Sequence, residues 1–458
     1  MIRIKNKNQL IRNGEGRLNR KARKVTLQSL EVALNAVDPY KILKSRISAK
    51  NSIITVDGHS FDLERYNCVY VIGGGKASGQ MADALIRALD RRITKGIVNV
   101  PYGSERTIGT IELHGASHPT PDEAGVKGTS EMLKIAEEAG ENDLVICLIS
   151  GGGSSLMPLP RDGISIFDKR KITDGLLRSG ATINEINTLR KHISHFKGGW
   201  LAKEVFPATI LNLILSDVVG DPLNFIASGP TVPDPTTFSD AIAVLRKYQL
   251  WSAAPKTIKR VLVNGTKGLI PETPKPGDKA FKKVYNVVIG NNRSASAAAH
   301  EYLKSVGLNS LMLTSSLEGE ARDVGVVLAS LAREIVTSGN PMPRPAGIVA
   351  GGETTVTVTG NGKGGRNQEI VLAATPKLSE TDGVILACLS TDGVDGPTNA
   401  AGAITDSETL ARATRMSLSP EDYLIENDSY TFFSKLGDLI LTGPTGTNVN
   451  DVSVLVVL

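Results

Sequence analysis

Aromatic side chains, cysteines and long apolar runs are all scarce in this chain, and each shortage closes off a class of function. Phe, Trp and Tyr together make up 4% of the 458 residues, too few to furnish stacking platforms for single-stranded nucleic acid. The three cysteines, Cys68, Cys147 and Cys388, lie inside apolar runs ("CVYVIG", "LVICLIS", "VILACLS"), and no two have metal-ligand spacing. They read as buried reduced thiols, so a cytoplasmic location is expected. No apolar stretch approaches the ~20 residues of a membrane helix, and the basic N-terminus lacks the apolar segment of a signal peptide. The net charge is only +5. Much of that excess sits in Arg3, Lys5, Lys7, Arg12, Arg17, Arg20, Lys21, Arg23 and Lys24, with Glu15 as the one acid among them. That run reads as a solvated helix face, with neither nucleic acid nor membrane as an expected partner.

What the chain has in plenty is a repeated unit: a short β-branched apolar run, a glycine turn, then a helical pattern. "NCVYVIGGGKASGQMADALIRAL", "NDLVICLISGGGSSLM" and "ATILNLILSDVVGD" are three instances, and "GIVNV" is a further strand. Alternation of this kind predicts an α/β protein with a mostly parallel sheet, and ligands beyond the carboxyl ends of its strands. At 458 residues one core is not enough. The cluster Pro271, Pro274, Pro276 and Gly277 marks a crossing between two lobes, giving domains at 1–265 and 280–458. The second lobe opens with "YNVVIGNNRSASAAAHEYLKSVG" and continues through "AGIVAGGETTVTVTG" and "GGRNQEIVLAA". The alternation in "TTVTVT" predicts a half-exposed strand, and the terminal "DVSVLVVL" a strand tucked into a sheet.

The glycine loops are the first candidates for chemistry. Gly73, Gly74 and Gly75 lie between a strand and a helix, where a bare backbone can approach an anion and the helix N-terminus offers N–H donors. The spacing misses the dinucleotide fingerprint by one residue, and no Walker A loop occurs. Lys76 at the lip would neutralise phosphate charge. "SGGGSS" supplies Ser154 and Ser155, suited to a small carboxylate or sugar-acid hydroxyl, or simply to helix capping. Gly351 and Gly352 in "AGGET" form a third loop, and Asn292 in "VVIGNNRS" stands at a similar turn; these join the nucleotide-binding set. Acids that follow apolar strands are metal candidates for phosphoryl transfer: Glu353, Asp392 and Asp221, with Asp217 beside them as a base. Arg366, between glycines and a helix, can clamp phosphate oxygens. His118 in a proline turn and Arg322 in "LEGEARD" are substrate-binding candidates, although Arg322 also suits a structural ion pair.

With these motifs in view, the chain resembles the class II glycerate kinases, the glycerate 2-kinase family whose C-terminal half carries a MOFRL domain, here at about 345–452. The carriers include "VIGGGKAS", "ASHPTPDEAG", "LISGGGSSLMPLP", "INTLRKHISHFKGGWLA", "ILSDVVGDPLNFIASGPTVPDPTTF", "GGETTVTVTGNGKGGRNQE", "STDGVDGPTNAAGA" and "LTGPTGTNVNDVSVLVV". The resemblance implies a Rossmann-like N-terminal lobe, a C-terminal α/β lobe, and an active site in the cleft between them. It implies ATP as donor, Mg2+ or another divalent cation, and D-glycerate as acceptor, with 2-phosphoglycerate as product. It carries Lys76, Glu353, Arg366 and Asp392 into the active site with Asp217 or Asp221 opposite, and puts Ser154, Ser155 and His118 near glycerate. A homodimer is compatible with it. Two rivals stand beside this reading: an NAD(P)H-dependent hydroxypyruvate or tartronate semialdehyde reductase, and a non-catalytic sugar-phosphate sensor.

Overall fold

The structure, a computed structural model, describes every residue except Ile47, Asn51 and Glu380. The chain divides into two compact units, one made of Ile42–Ile289 and the other of Met1–Lys41 with Gly290–Leu458.

In the Ile42–Ile289 unit, seven strands form one sheet in the order Val284–Gly290, Thr209–Leu215, Leu144–Ser150, Val69–Gly74, Lys95–Pro101, Ile111–Ala116 and Arg106–Ile108. The pairings from Thr209–Leu215 across to Ile111–Ala116 are all parallel, and the short edge strand Arg106–Ile108 runs antiparallel. Three of these strands are buried along their full length, which is why they read as unbroken apolar runs: both faces are covered. Starting from Val69–Gly74, the chain adds strands on one side and then returns to add Leu144–Ser150 on the other. The strand order therefore reverses between these two neighbours, and their carboxyl ends mark the switch point where ligands collect in such sheets. Beyond it, the helices Ile166–Arg178, Ile183–His192, Phe238–Lys247 and Lys256–Thr266 bury their own core around Leu176, Leu189, Phe238 and Leu262.

The other unit has six strands in the order Asn309–Leu317, Ala346–Gly352, Asp451–Val457, Val384–Ser390, Gly402–Asp406 and Leu439–Ile440. The first two are parallel; the C-terminal strand lies between Ala346–Gly352 and Val384–Ser390 and runs antiparallel to both. Its start at Asp451 thus meets the carboxyl ends of Gly352 and Ser390. The tucked-in terminal strand expected from "DVSVLVVL" is central to this sheet.

Three features differ from the sequence reading. "TTVTVT" forms no strand beyond a single bridge between Glu320 and Thr355, because side chains take its backbone donors: Glu320 Oε1 accepts from Thr357 N and Asn427 Oδ1 from Thr359 N. The proline-rich stretch is no crossing but a strap within the Ile42–Ile289 unit, tied by Glu272 to His192 and the Phe238 amide and by Thr273 to Asp234. And the first 41 residues pack with the C-terminal half. The helix Gly16–Ala36 buries Leu27, Leu30 and Leu34 there. Its Arg23, expected on a solvated face, is fully buried against Asp406 (2.6 Å) and Asp438 (2.7 Å). Among the described residues no helix is long and apolar enough to cross a membrane.

Candidate active site

At the switch point of the Ile42–Ile289 sheet the two glycine loops pack on each other. Gly75 has φ 153°, and a Cβ there would overlap Ser150 Oγ and lie 2.6 Å from the Ser150 carbonyl oxygen. Gly73 is similarly pressed against Leu148. These glycines serve the close approach of neighbouring strands. Lys76 follows at once, its amide bonded to Gly151 O (2.8 Å). A Cβ on Gly152 (φ 80°) would stand 2.7 Å from the His118 ring and 3.5 Å from Lys76 Cγ. Lys76, His118 and the "SGGGSS" turn are thus one local cluster.

Beside that turn opens a cavity of about 410 Å³ lined in part by Gly152, Ser154, Ser155 and Asp217. Both serine hydroxyls also serve the fold: Ser154 Oγ is 3.0 Å from Ser228 Oγ, and Ser155 Oγ donates to Gly152 O. Asp221 lies in the turn after Asp217 with φ 54° and its amide on Val218 O. Lys169, Arg190 and Lys197 also line the cavity, and residue-by-residue reasoning passed over all three. Lys169 and Arg190 lie on helices and Lys197 in the turn before Trp200–Val205, where cations look like ordinary surface charge; only the packing of these segments onto the loop turns them inward. Burial, then repulsion from Arg190, pushes the Lys169 ammonium down to about 7. Burial, then Lys169 and Arg190, pushes Lys197 well below its ordinary value.

The other unit gathers a second constellation around Arg366, the first residue of the helix Arg366–Leu378. Its guanidinium lies 2.5 Å from Glu353 and 2.6 Å from Asp451. Asp451 was missed by the sequence reading, since it is the first residue of a strand and follows no apolar run. Burial pushes its carboxyl up to about 7, with Arg366 opposing. Asp395 holds the helix N-terminus by accepting from the Asn367 and Gln368 amides and side chains, a structural use for a buried acid. Gly352 (φ 154°) is pressed against Leu317, and Gly351 against Asn292 Oδ1 and Ser296 Oγ. Asn292 spends its amide on Val449 O and Asp451 O and its oxygen on Ser296, so it braces the start of the C-terminal strand. Arg322 donates to Glu369 and faces Glu320, partners that account for it without a ligand. Asp392 accepts from Ser390 Oγ and Val394 N.

Among the described residues no three His, Cys, Asp or Glu side chains are grouped to hold a metal, so Glu353, Asp392 and Asp221 form no ready-made cage. Hard-oxygen donors in ones and twos nevertheless fit a magnesium ion that arrives with phosphate oxygens and keeps its waters. Asp392 and Glu353, just beyond the carboxyl ends of the two strands that flank the C-terminal strand, are of that kind.

Residues 25–263 match the family described as a domain of unknown function, DUF4147, and residues 346–451 match the MOFRL family. A glycerate 2-kinase of Pyrococcus horikoshii is 43% identical over 95% of this chain and 97% of its own length. The crystal structure of a glycerate kinase from Thermotoga maritima superposes with a TM-score of 0.84 at 40% identity, covering 94% of this chain and 98% of that one. A protein of Agrobacterium vitis, named provisionally as a hydroxypyruvate reductase, is 41% identical over 91% of this chain and 93% of its own.

Proposed function

The chain belongs to the glycerate 2-kinase family that joins a DUF4147 region to a MOFRL region, and from that premise we propose that it transfers the γ-phosphoryl group of ATP to the 2-hydroxyl of D-glycerate. It is a kinase acting on glycerate; ATP as donor, magnesium as its companion and the residue roles below are our reading.

One observation supports the acceptor site above others: a cation-rich cavity at the switch point, bounded by the "SGGGSS" turn, with Asp217 in its wall and Lys76 and His118 against the same turn. In this reading the glycerate hydroxyl oxygen bonds to the γ-phosphorus while the bond to the β-phosphate oxygen breaks and ADP leaves. Lys76 stabilises negative charge on the transferring group. Asp217 orients the attacking hydroxyl and takes its proton as the new bond forms. His118 hydrogen-bonds the acceptor, and Ser154 and Ser155 shape its pocket. Arg366 holds donor phosphate oxygens, exchanging part of its pairing with Glu353 for them, while Asp451 keeps the guanidinium aimed. Magnesium, held by Asp392 and Glu353, would screen phosphate charge; Asp221 is the further carboxylate to test for that role.

The assay is ATP, Mg2+ and D-glycerate with the phosphoglycerate isomers resolved. Formation of 2-phosphoglycerate with stoichiometric ADP is expected. Loss of NAD(P)H absorbance on hydroxypyruvate without ATP would favour the reductase instead, and ligand binding with no turnover the sensor.

A further inference from the structure

Lys169, Arg190 and Lys197 carry more charge into the cavity than the fold needs. Lys169 is 4% and Lys197 1% exposed. Their ammonium groups donate only to neutral oxygens, Lys169 to Pro158 O at 3.1 Å and Lys197 to Ser154 O, Ser154 Oγ and Ala227 O at 2.9–3.4 Å. Among the described residues none of the three makes an ion pair with a carboxylate within 4.0 Å. The charged groups of the cavity wall are these three and Arg170 against Asp174 and Asp217, four cations to two acids. Like charges brought together out of water destabilise a fold, and an anion entering between them relieves both burial and repulsion. Burial holds the Lys169 ammonium down to about 7 and Lys197 well below its ordinary value, so the wall carries less positive charge than its number of cations suggests. It suits a single negative charge. Leu177, Ile183 and Phe225 add apolar surface beside the polar Thr173 and Asn187, so it is the excess of cations that sets the wall's preference for an anion.

We infer that Lys169, Arg190 and Lys197 form the receptor for the acceptor's carboxylate, so that the cavity selects small monocarboxylic hydroxy acids over neutral polyols and over phosphorylated acceptors. This rests on the reading of the cavity as the acceptor site, and it adds three residues to which no role was assigned. The carboxylate sits among the three cations, leaving the 2-hydroxyl toward Asp217 and the Gly152–Ser154 turn.

The test compares the full-length enzyme with Lys169→Met, Arg190→Gln and Lys197→Met. The KM for D-glycerate should rise roughly 30-fold or more for each buried lysine, since one partner of a desolvated charge contact is removed, while the KM for ATP stays put. Lys169→Met should melt no lower than the parent, and higher if anything, because an unpaired buried charge is gone. A merely structural lysine predicts the reverse, a lower melting temperature with the D-glycerate KM unchanged, and that result overturns the inference. Calorimetry at pH 8 in buffers of differing ionisation enthalpy should show proton uptake when D-glycerate binds, lost in Lys169→Met. Inorganic phosphate binding more tightly than D-glycerate or D-lactate would also overturn it. Should Lys197→Met fail to fold, the other two variants decide. If the parent enzyme binds monocarboxylates through these cations yet never phosphorylates D-glycerate, the kinase reading fails and the receptor stands. Turnover with all three variants unimpaired means the opposite.

Discussion

Gly75 and Lys76 are neighbours with different obligations. The φ of 153° and the crowding by Ser150 mean that any side chain at Gly75 pushes the two loops apart. Gly75→Ala should cost about 1–3 kcal/mol in chemical denaturation and lower turnover as well, because Lys76 is carried on the same turn. Lys76→Ala separates these effects. With the backbone bond from its amide to Gly151 kept, the melting temperature should hold while kcat falls by about 10²–10³, the range for removing one group that stabilises transition-state charge. Near-normal kcat in Lys76→Ala would remove that residue from the chemistry.

The strap that carries Glu272 shows how an element without regular structure can anchor helices. Glu272 accepts from His192 at 3.2 Å, from the Phe238 amide at 2.8 Å and from Lys275 at 3.1 Å. It thereby links the ends of Ile183–His192, which lines the cavity, and Phe238–Lys247, which shares a core with that helix. Burial alone would raise its pKa, but the bonds from His192, the Phe238 amide and Lys275 hold it down to about 2. A depressed carboxyl contributes stability that is present above its ordinary value near 4.5 and is lost as pH falls toward 2. Urea titrations across that window should show a steep loss for the parent and a flatter one for Glu272→Gln, which starts from lower stability at pH 7. Parallel curves would mean that Glu272 titrates normally.

At the scale of the whole molecule the N-terminal segment is the part whose position local pattern conceals. Arg23 joins the Gly16–Ala36 helix to Asp406 and Asp438, 383 and 415 positions away, and Arg412 also pairs with Asp438. Arg23→Met leaves two buried carboxylates short of a partner and should destabilise the chain by about 3–5 kcal/mol. Trimming residues 1–41 should be worse, exposing the apolar face around Leu27, Leu30 and Leu34 together with the surface it covers. Thermal melts followed by circular dichroism would register both, and an unchanged melting temperature for Arg23→Met would show the triad to be dispensable.

The amino-acid sequence by itself determined the alternation of strand, glycine turn and helix, the mostly parallel sheet with its loops at strand ends, and the family. All of these follow from short-range pattern: apolar runs for strands buried on both faces, glycines where backbones press together, and motifs long enough to be specific. It also singled out Lys76, His118 and Ser154 one by one, and Arg366 as a cation before a helix. Tertiary structure alone decided which cations face inward, since Lys169 and Lys197 sit in segments whose outer and inner faces local composition does not distinguish. It alone placed Asp451 beside Arg366, a pairing across 85 positions that needs the C-terminal strand to insert between two others. Arg23, read as a surface charge, is buried for the same reason: long-range packing, with partners distant in the chain, sets the cost of a charge.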